Sequence, residues 1–162
     1  MGVRDIIRQQ VDTLVIENST NNPFEIAKSH KITVDRQSMG SIVLGYFTNF
    51  YDVPIITISN QLNDVECRYV CAHELGHYFC HHTDNVYCLN LNMVQQSYVN
   101  TSRSEAEAHF FATELALSSV DFSECQTQQE ILYQAGIPYW AAKYIDWVAL
   151  QPQILHSKGV ML

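Results

Sequence analysis

Asp64-Val-Glu-Cys-Arg-Tyr-Val-Cys-Ala-His73-Glu74-Leu75-Gly76-His77-Tyr-Phe-Cys-His81-His82 is the stretch on which the reading of this chain turns. Val65, Tyr69, Val70, Ala72, Leu75 and Phe79 recur at helical spacing, which predicts one helix from about Asp64 to His82. On such a helix His73 and His77 stand at i and i+4, one above the other, about 6 Å apart at Cβ. That spacing lets both imidazoles reach one Zn²⁺ at about 2.0–2.1 Å. Glu74 is rotated by about 100° from His73, so it borders the metal without having to ligate it. It is placed to take a proton from water as a general base. Two histidines by chance would not need a carboxylate between them, and neither would a purely structural metal site.

A catalytic zinc needs three protein ligands and an open position. A metzincin would place a third histidine six residues past the second, where this chain has Thr83. His81 continues the row of His73 and His77, and His82 adjoins it, but a third ligand on the same helix would have to curl round the ion. A carboxylate from another helix is easier to place. Glu105 and Glu107 lie 28 and 30 residues beyond His77, at the start of the next predicted helix. They stand about 200° apart on it, so only one can face the metal. Glu114 is too far along.

Outward from this helix the patterns are clear. Val3, Ile6, Ile7, Val11, Leu14 and Val15 predict a helix over 3–17, and Pro23 opens a short one through Phe24, Ile26 and Ala27. Ile32 to Val34, Ser41 to Phe47 and Val53 to Ile58 predict strands, and Asn60 is a candidate cap for the motif helix. Residues 83–101 are polar and aperiodic, which predicts a loop bordering the substrate cleft. Ser102 or Ser104 caps a helix to about Leu117, and further helices are expected around 127–135 and 138–150, broken at Gly136 and Pro138.

Composition bounds the function. The chain has 162 residues, of which 47% are apolar and 16% charged, so a packed core is expected. A net charge of −8 argues against a nucleic-acid footprint. No segment has the apolar run of a signal peptide or of a membrane span. Cys67, Cys71, Cys80, Cys88 and Cys125 are odd in number and form no Cys-x-x-Cys pair, which fits reduced thiols in a cytosol.

The sequence resembles the ImmA/IrrE family of bacterial and phage metallo-endopeptidases. The resemblance rests on Asn22-Pro-Phe-Glu-Ile-Ala27, Gly45-Tyr-Phe with Pro54-Ile-Ile-Thr-Ile58, the helix Arg68 to His81, and Glu105-Ala-Glu-Ala-His-Phe-Phe-Ala-Thr-Glu-Leu115. The last is similar to a family signature that makes Glu107 the metal-binding glutamate and Glu105 the lesser choice. Asn is usual in that signature where this chain has His109. The family's Leu-Met-Pro ending is here Ala116-Leu117-Ser118.

The resemblance implies an α+β, mainly helical zincin-like fold, with a small antiparallel sheet beside the motif helix and a C-terminal helix pair. Residues 1–162 are expected to form a single metallopeptidase domain, with a helix-turn-helix-like pair at 126–150 packed on it. Lys143 is the only lysine or arginine between Arg103 and Lys158, so that pair is read as packing or docking, with no direct nucleic-acid binding. The expected site is Zn²⁺ on His73, His77 and Glu107, with Glu74 as base. Tyr46, Tyr98 and His109 are candidates to stabilise the oxyanion. The implied substrate is a helix-turn-helix repressor of a phage or mobile element, cut in the bacterial cytoplasm to derepress its genes. The rival is a zinc-stabilised module that sequesters the repressor without proteolysis.

Overall fold

The computed structural model describes residues 1–80 and 87–159. His81, His82 and Thr83 lie outside the described residues. Among the described residues, seven α-helices and four strands follow one another as α1 (Val3–Asn18), α2 (Pro23–Ser29), β1 (Thr33–Gln37), β2 (Val43–Phe50), β3 (Val53–Ser59), α3 (Asp64–Phe79), β4 (Tyr87–Asn90), α4 (Leu91–Gln95), α5 (Arg103–Leu117), α6 (Gln128–Ala135) and α7 (Trp147–Ser157). Among the described residues no helix is long and apolar enough to cross a membrane. The fold is the expected α+β class, mainly helical around a small sheet.

The sheet runs β1-β3-β2-β4. β2 is antiparallel to β3 and to β4, while β1 joins β3 in parallel. β2 and β3 run further toward each other than their composition suggests. Tyr51 and Asp52 both take positive φ, 49° and 62°, and so close a two-residue turn. The expected loop over 83–101 is a larger departure. Within it Cys88 pairs with Tyr46 and Leu89 with Gly45, adding β4 to the sheet edge. Asn90 then caps α4 by accepting from the amides of Asn92 and Met93. So short a strand carries little periodic signal; its pairing with β2 defines it.

α3 is the centre of the molecule. It lies between β2 and β3 on one side and α5 on the other, and α1 covers α5. From Tyr69 to His77 every α3 residue is buried. A helix covered on all sides has no polar face to betray its orientation. Its cap is Asn63 rather than Asn60: Asn63 Oδ1 accepts from the Glu66 amide at 2.9 Å, and Glu66 Oε2 accepts from the Asn63 amide at 3.3 Å.

Two glycines let α3 approach its neighbours. A Cβ on Gly45 would stand 2.5 Å from Val70 Cγ1, so the sheet meets α3 there by close contact. A Cβ on Gly76 would stand 2.8 Å from both the Cα and the carbonyl oxygen of Ala108 in α5. Gly76→Ala is therefore expected to destabilise the protein. Alanine gains up to about 1 kcal/mol of helix propensity. Overpacking against backbone, which cannot swing aside, costs about 1–3 kcal/mol and wins. Thermal melting of the variant, lowered by several degrees, checks this.

At the C-terminal end α6 stops at Gly136, whose φ of 68° is the left-handed geometry of a helix end. The second helix does not begin at Pro138. A 3-10 segment spans Tyr139–Tyr144, and α7 starts only after Asp146, whose Oδ1 accepts from the Ala149 amide at 3.2 Å. Asp146 Oδ2 also pairs with Arg8 at 2.8 Å and Arg4 at 3.2 Å, tying the start of α7 to α1.

Candidate metal centre

The last two turns of α3 carry His73 and His77, whose Nε2 atoms lie 3.2 Å apart. The third group comes from the first turn of α5, where Ser102 Oγ accepts from the Glu105 amide at 3.3 Å and anchors the helix start. Glu105 Oε2 stands 3.1 Å from His73 Nε2, and Oε1 stands 3.4 Å from His77 Nε2. His73, His77 and Glu105 are all buried.

The donor set fits a small divalent cation. A tetrahedral ion bound at about 2.0–2.1 Å holds its ligand atoms about 3.3–3.4 Å apart. The two imidazole nitrogens, 3.2 Å apart, stand close to that edge, and Glu105 turns one oxygen to each of them, at 3.1 and 3.4 Å. Two imidazoles and one carboxylate are also a donor type that zinc accepts in catalytic sites.

Glu107, the ligand implied by resemblance, is not brought to the histidines. Arg103 Nε donates to its Oε1 at 2.7 Å, and its side chain lines two cavities of about 530 Å³ that flank the start of α1. The cause is the rotation of α5. Ala108 touches Gly76, and Glu105, three residues before Ala108, shares that face. Glu107, one residue before it, is turned about 100° away, toward α1. Glu114 is likewise elsewhere, paired with Arg8 at 3.3 Å.

Glu74 is fully buried next to the trio; among the described residues its carboxylate oxygens make no well-formed hydrogen bond, and the Phe47 backbone bears on them only weakly. Burial pushes its carboxyl well above the usual carboxylate range, and the charge of Glu105 adds to this. Burial works the same way on Glu105, but hydrogen bonding to His73 and His77 prevails and holds that carboxyl well below its ordinary value. Two neighbouring carboxyl groups are thus pushed in opposite directions.

The three candidate oxyanion donors are separated. Tyr46 lies on β2 opposite Cys88. Tyr98, in a 3-10 turn, accepts from Arg4 Nη2 at 2.9 Å. His109 is 1% exposed and stacks against His73, with ring centroids 4.0 Å apart. Tyr69 and Tyr144, not singled out from sequence, complete its surroundings. For Tyr69 a signal existed, since it precedes His73 by four residues and so lies on the same helix row.

The chain matches the peptidase family model described as the IrrE N-terminal-like domain over residues 27–144. It is 31% identical over 145 residues to the metallopeptidase ImmA of Bacillus subtilis strain 168, covering 85% of this chain and 82% of that one. It is 28% identical over 141 residues to immunity region protein 2 of Bacillus phage phi105, an uncharacterized protein, covering 85% and 87%.

Proposed function

The chain belongs to the metallopeptidase family described as the IrrE N-terminal-like domain, and from that premise we propose that it is a zinc-dependent endopeptidase that cleaves a helix-turn-helix repressor in the bacterial cytoplasm, derepressing phage or mobile-element genes. One observation carries the catalytic part of this reading. A fully buried carboxylate with no well-formed hydrogen bond among the described residues, Glu74, adjoins three buried groups whose donor atoms converge. Such a carboxylate is costly to folding and has no structural use here. The substrate part is supported by the immunity-region relative and by the net charge of −8, which suits a basic DNA-binding protein as partner.

In this reading His73, His77 and Glu105 hold Zn²⁺. When bound, it supplies Lewis acidity toward a water molecule and a peptide carbonyl. Glu74 accepts a proton from the attacking water as the new C–O bond forms. It then delivers that proton to the departing amine as the C–N bond breaks, which returns Glu74 to its carboxylate form. All four residues are buried, which limits the access of bulk water to the site.

Incubation with a neighbouring helix-turn-helix repressor is expected to yield two repressor fragments, to stop when a chelator is added, and to resume when Zn²⁺ is restored. Repressor that stays intact in a stable complex with the metal-loaded protein would identify sequestration instead and sink the peptidase reading.

A further inference from the structure

Behind the three candidate ligands stands a second pair of residues from the same two helices. Tyr69 precedes His73 by one turn of α3, and His109 follows Glu105 by one turn of α5, each on its ligand's helix face. Both are buried, and Tyr69 Oη lies 3.1 Å from His109 Nδ1. The hydrogen bond ties the two side chains together whichever of them donates, since the His109 tautomer sets its direction.

Two further rings pack against His109. Tyr144 lies parallel to it, with centroids 3.9 Å apart and planes 12° apart; His73 lies against the ring at 4.0 Å and 47°. Trp140 stands edge-on to Tyr69 at 5.2 Å and to His109 at 6.0 Å. His109 is therefore fixed in its plane by a hydrogen bond and across its plane by two rings.

His73 lacks the usual means of orientation. A histidine that ligates a metal normally donates its second nitrogen to a carboxylate, carbonyl or water, and this bond sets the ring plane. His73 Nδ1 is buried without such a partner among the described residues. We propose that His109, locked by Tyr69 and Tyr144, is a positioning residue that sets the plane of His73 by ring packing and so fixes where His73 presents Nε2. This inference rests on the reading of His73, His77 and Glu105 as metal ligands. It explains why a histidine suits the position: a phenyl ring would fill the same space but leave the buried Tyr69 hydroxyl unpaired.

The test uses the full chain and Zn²⁺ competition with a chromogenic chelator, with melting of the metal-free protein followed alongside. His109→Ala is expected to weaken Zn²⁺ binding about 10–100-fold. Tyr69→Phe keeps every ring and frees only the His109 plane. It is expected to weaken binding by a smaller factor, to shift the visible bands of the Co²⁺-loaded protein, and to remain folded if His109→Ala does not. Unchanged affinity and an unchanged Co²⁺ spectrum in Tyr69→Phe, with only the melting temperature lowered, would mean that the pair merely fills the core and overturns the proposal. If the unaltered protein binds no Zn²⁺, the metal-centre reading itself falls, a result that needs no variant to recognise.

Discussion

Glu74→Gln is expected to slow substrate cleavage by about 10²- to 10⁴-fold, the contribution of a well-placed general base, while Zn²⁺ still binds at one ion per chain. The amide has the shape of the carboxylate but cannot accept the water's proton. Stability should move the other way from activity. Glu74 is fully buried and the Phe47 backbone offsets only part of the cost, so the native protein already bears much of the penalty of desolvating that carboxyl. Removing the charge relieves that cost, and the metal-free variant should melt at the same temperature as the unaltered protein or higher. Cleavage at the normal rate by a correctly loaded Glu74→Gln protein would remove Glu74 from the mechanism. A large loss of stability would show that the carboxylate has a structural partner after all.

The second large effect separates Glu105 from Glu107. Glu105→Gln should weaken Zn²⁺ binding by more than the 10–100-fold typical of groups that only support a ligand, because it removes the anionic donor 3.1 and 3.4 Å from the two imidazoles. Glu107→Gln should leave metal affinity close to normal. Its contact with Arg103, whose side chain is 80% exposed, is of a kind that contributes little. Equilibrium dialysis of the two variants decides the matter. The opposite ranking would restore Glu107 as ligand and show that α5 turns when metal binds.

The division between these two glutamates marks where sequence stops being sufficient. His73, Glu74 and His77 were legible because one helix fixes their relation, and helical spacing is local. The start of α5 was legible for a similar reason, since Ser102 caps the amide of a residue three positions on. The choice between Glu105 and Glu107 depends on how α5 is rotated against α3, a property of two segments far apart in the chain. The small residues Ala108 and Ala112 follow Glu105 by three and seven positions and mark the face that α3 touches. That clue was masked because Phe110, Phe111 and Leu117 bury most of the rest of α5 as well. β4 escaped notice on the same ground: four residues carry no periodicity, and β2 gives them their identity. The 3-10 segment after Pro138 reflects where Asp146 is held by Arg4 and Arg8 from α1, another long-range fact.

The contact between Gly76 and Ala108 has a meaning beyond stability. Gly76 lies between the two candidate ligand histidines in sequence, and Ala108 follows the candidate ligand Glu105 by three residues. The point where the two backbones touch therefore adjoins the candidate donor set. In the proposed reading the spacing of the donors depends on how closely two main chains approach, and a methyl group at position 76 would press on that approach without altering a single donor atom. A residue with no side chain then bears on the site's geometry while every candidate ligand stays the same.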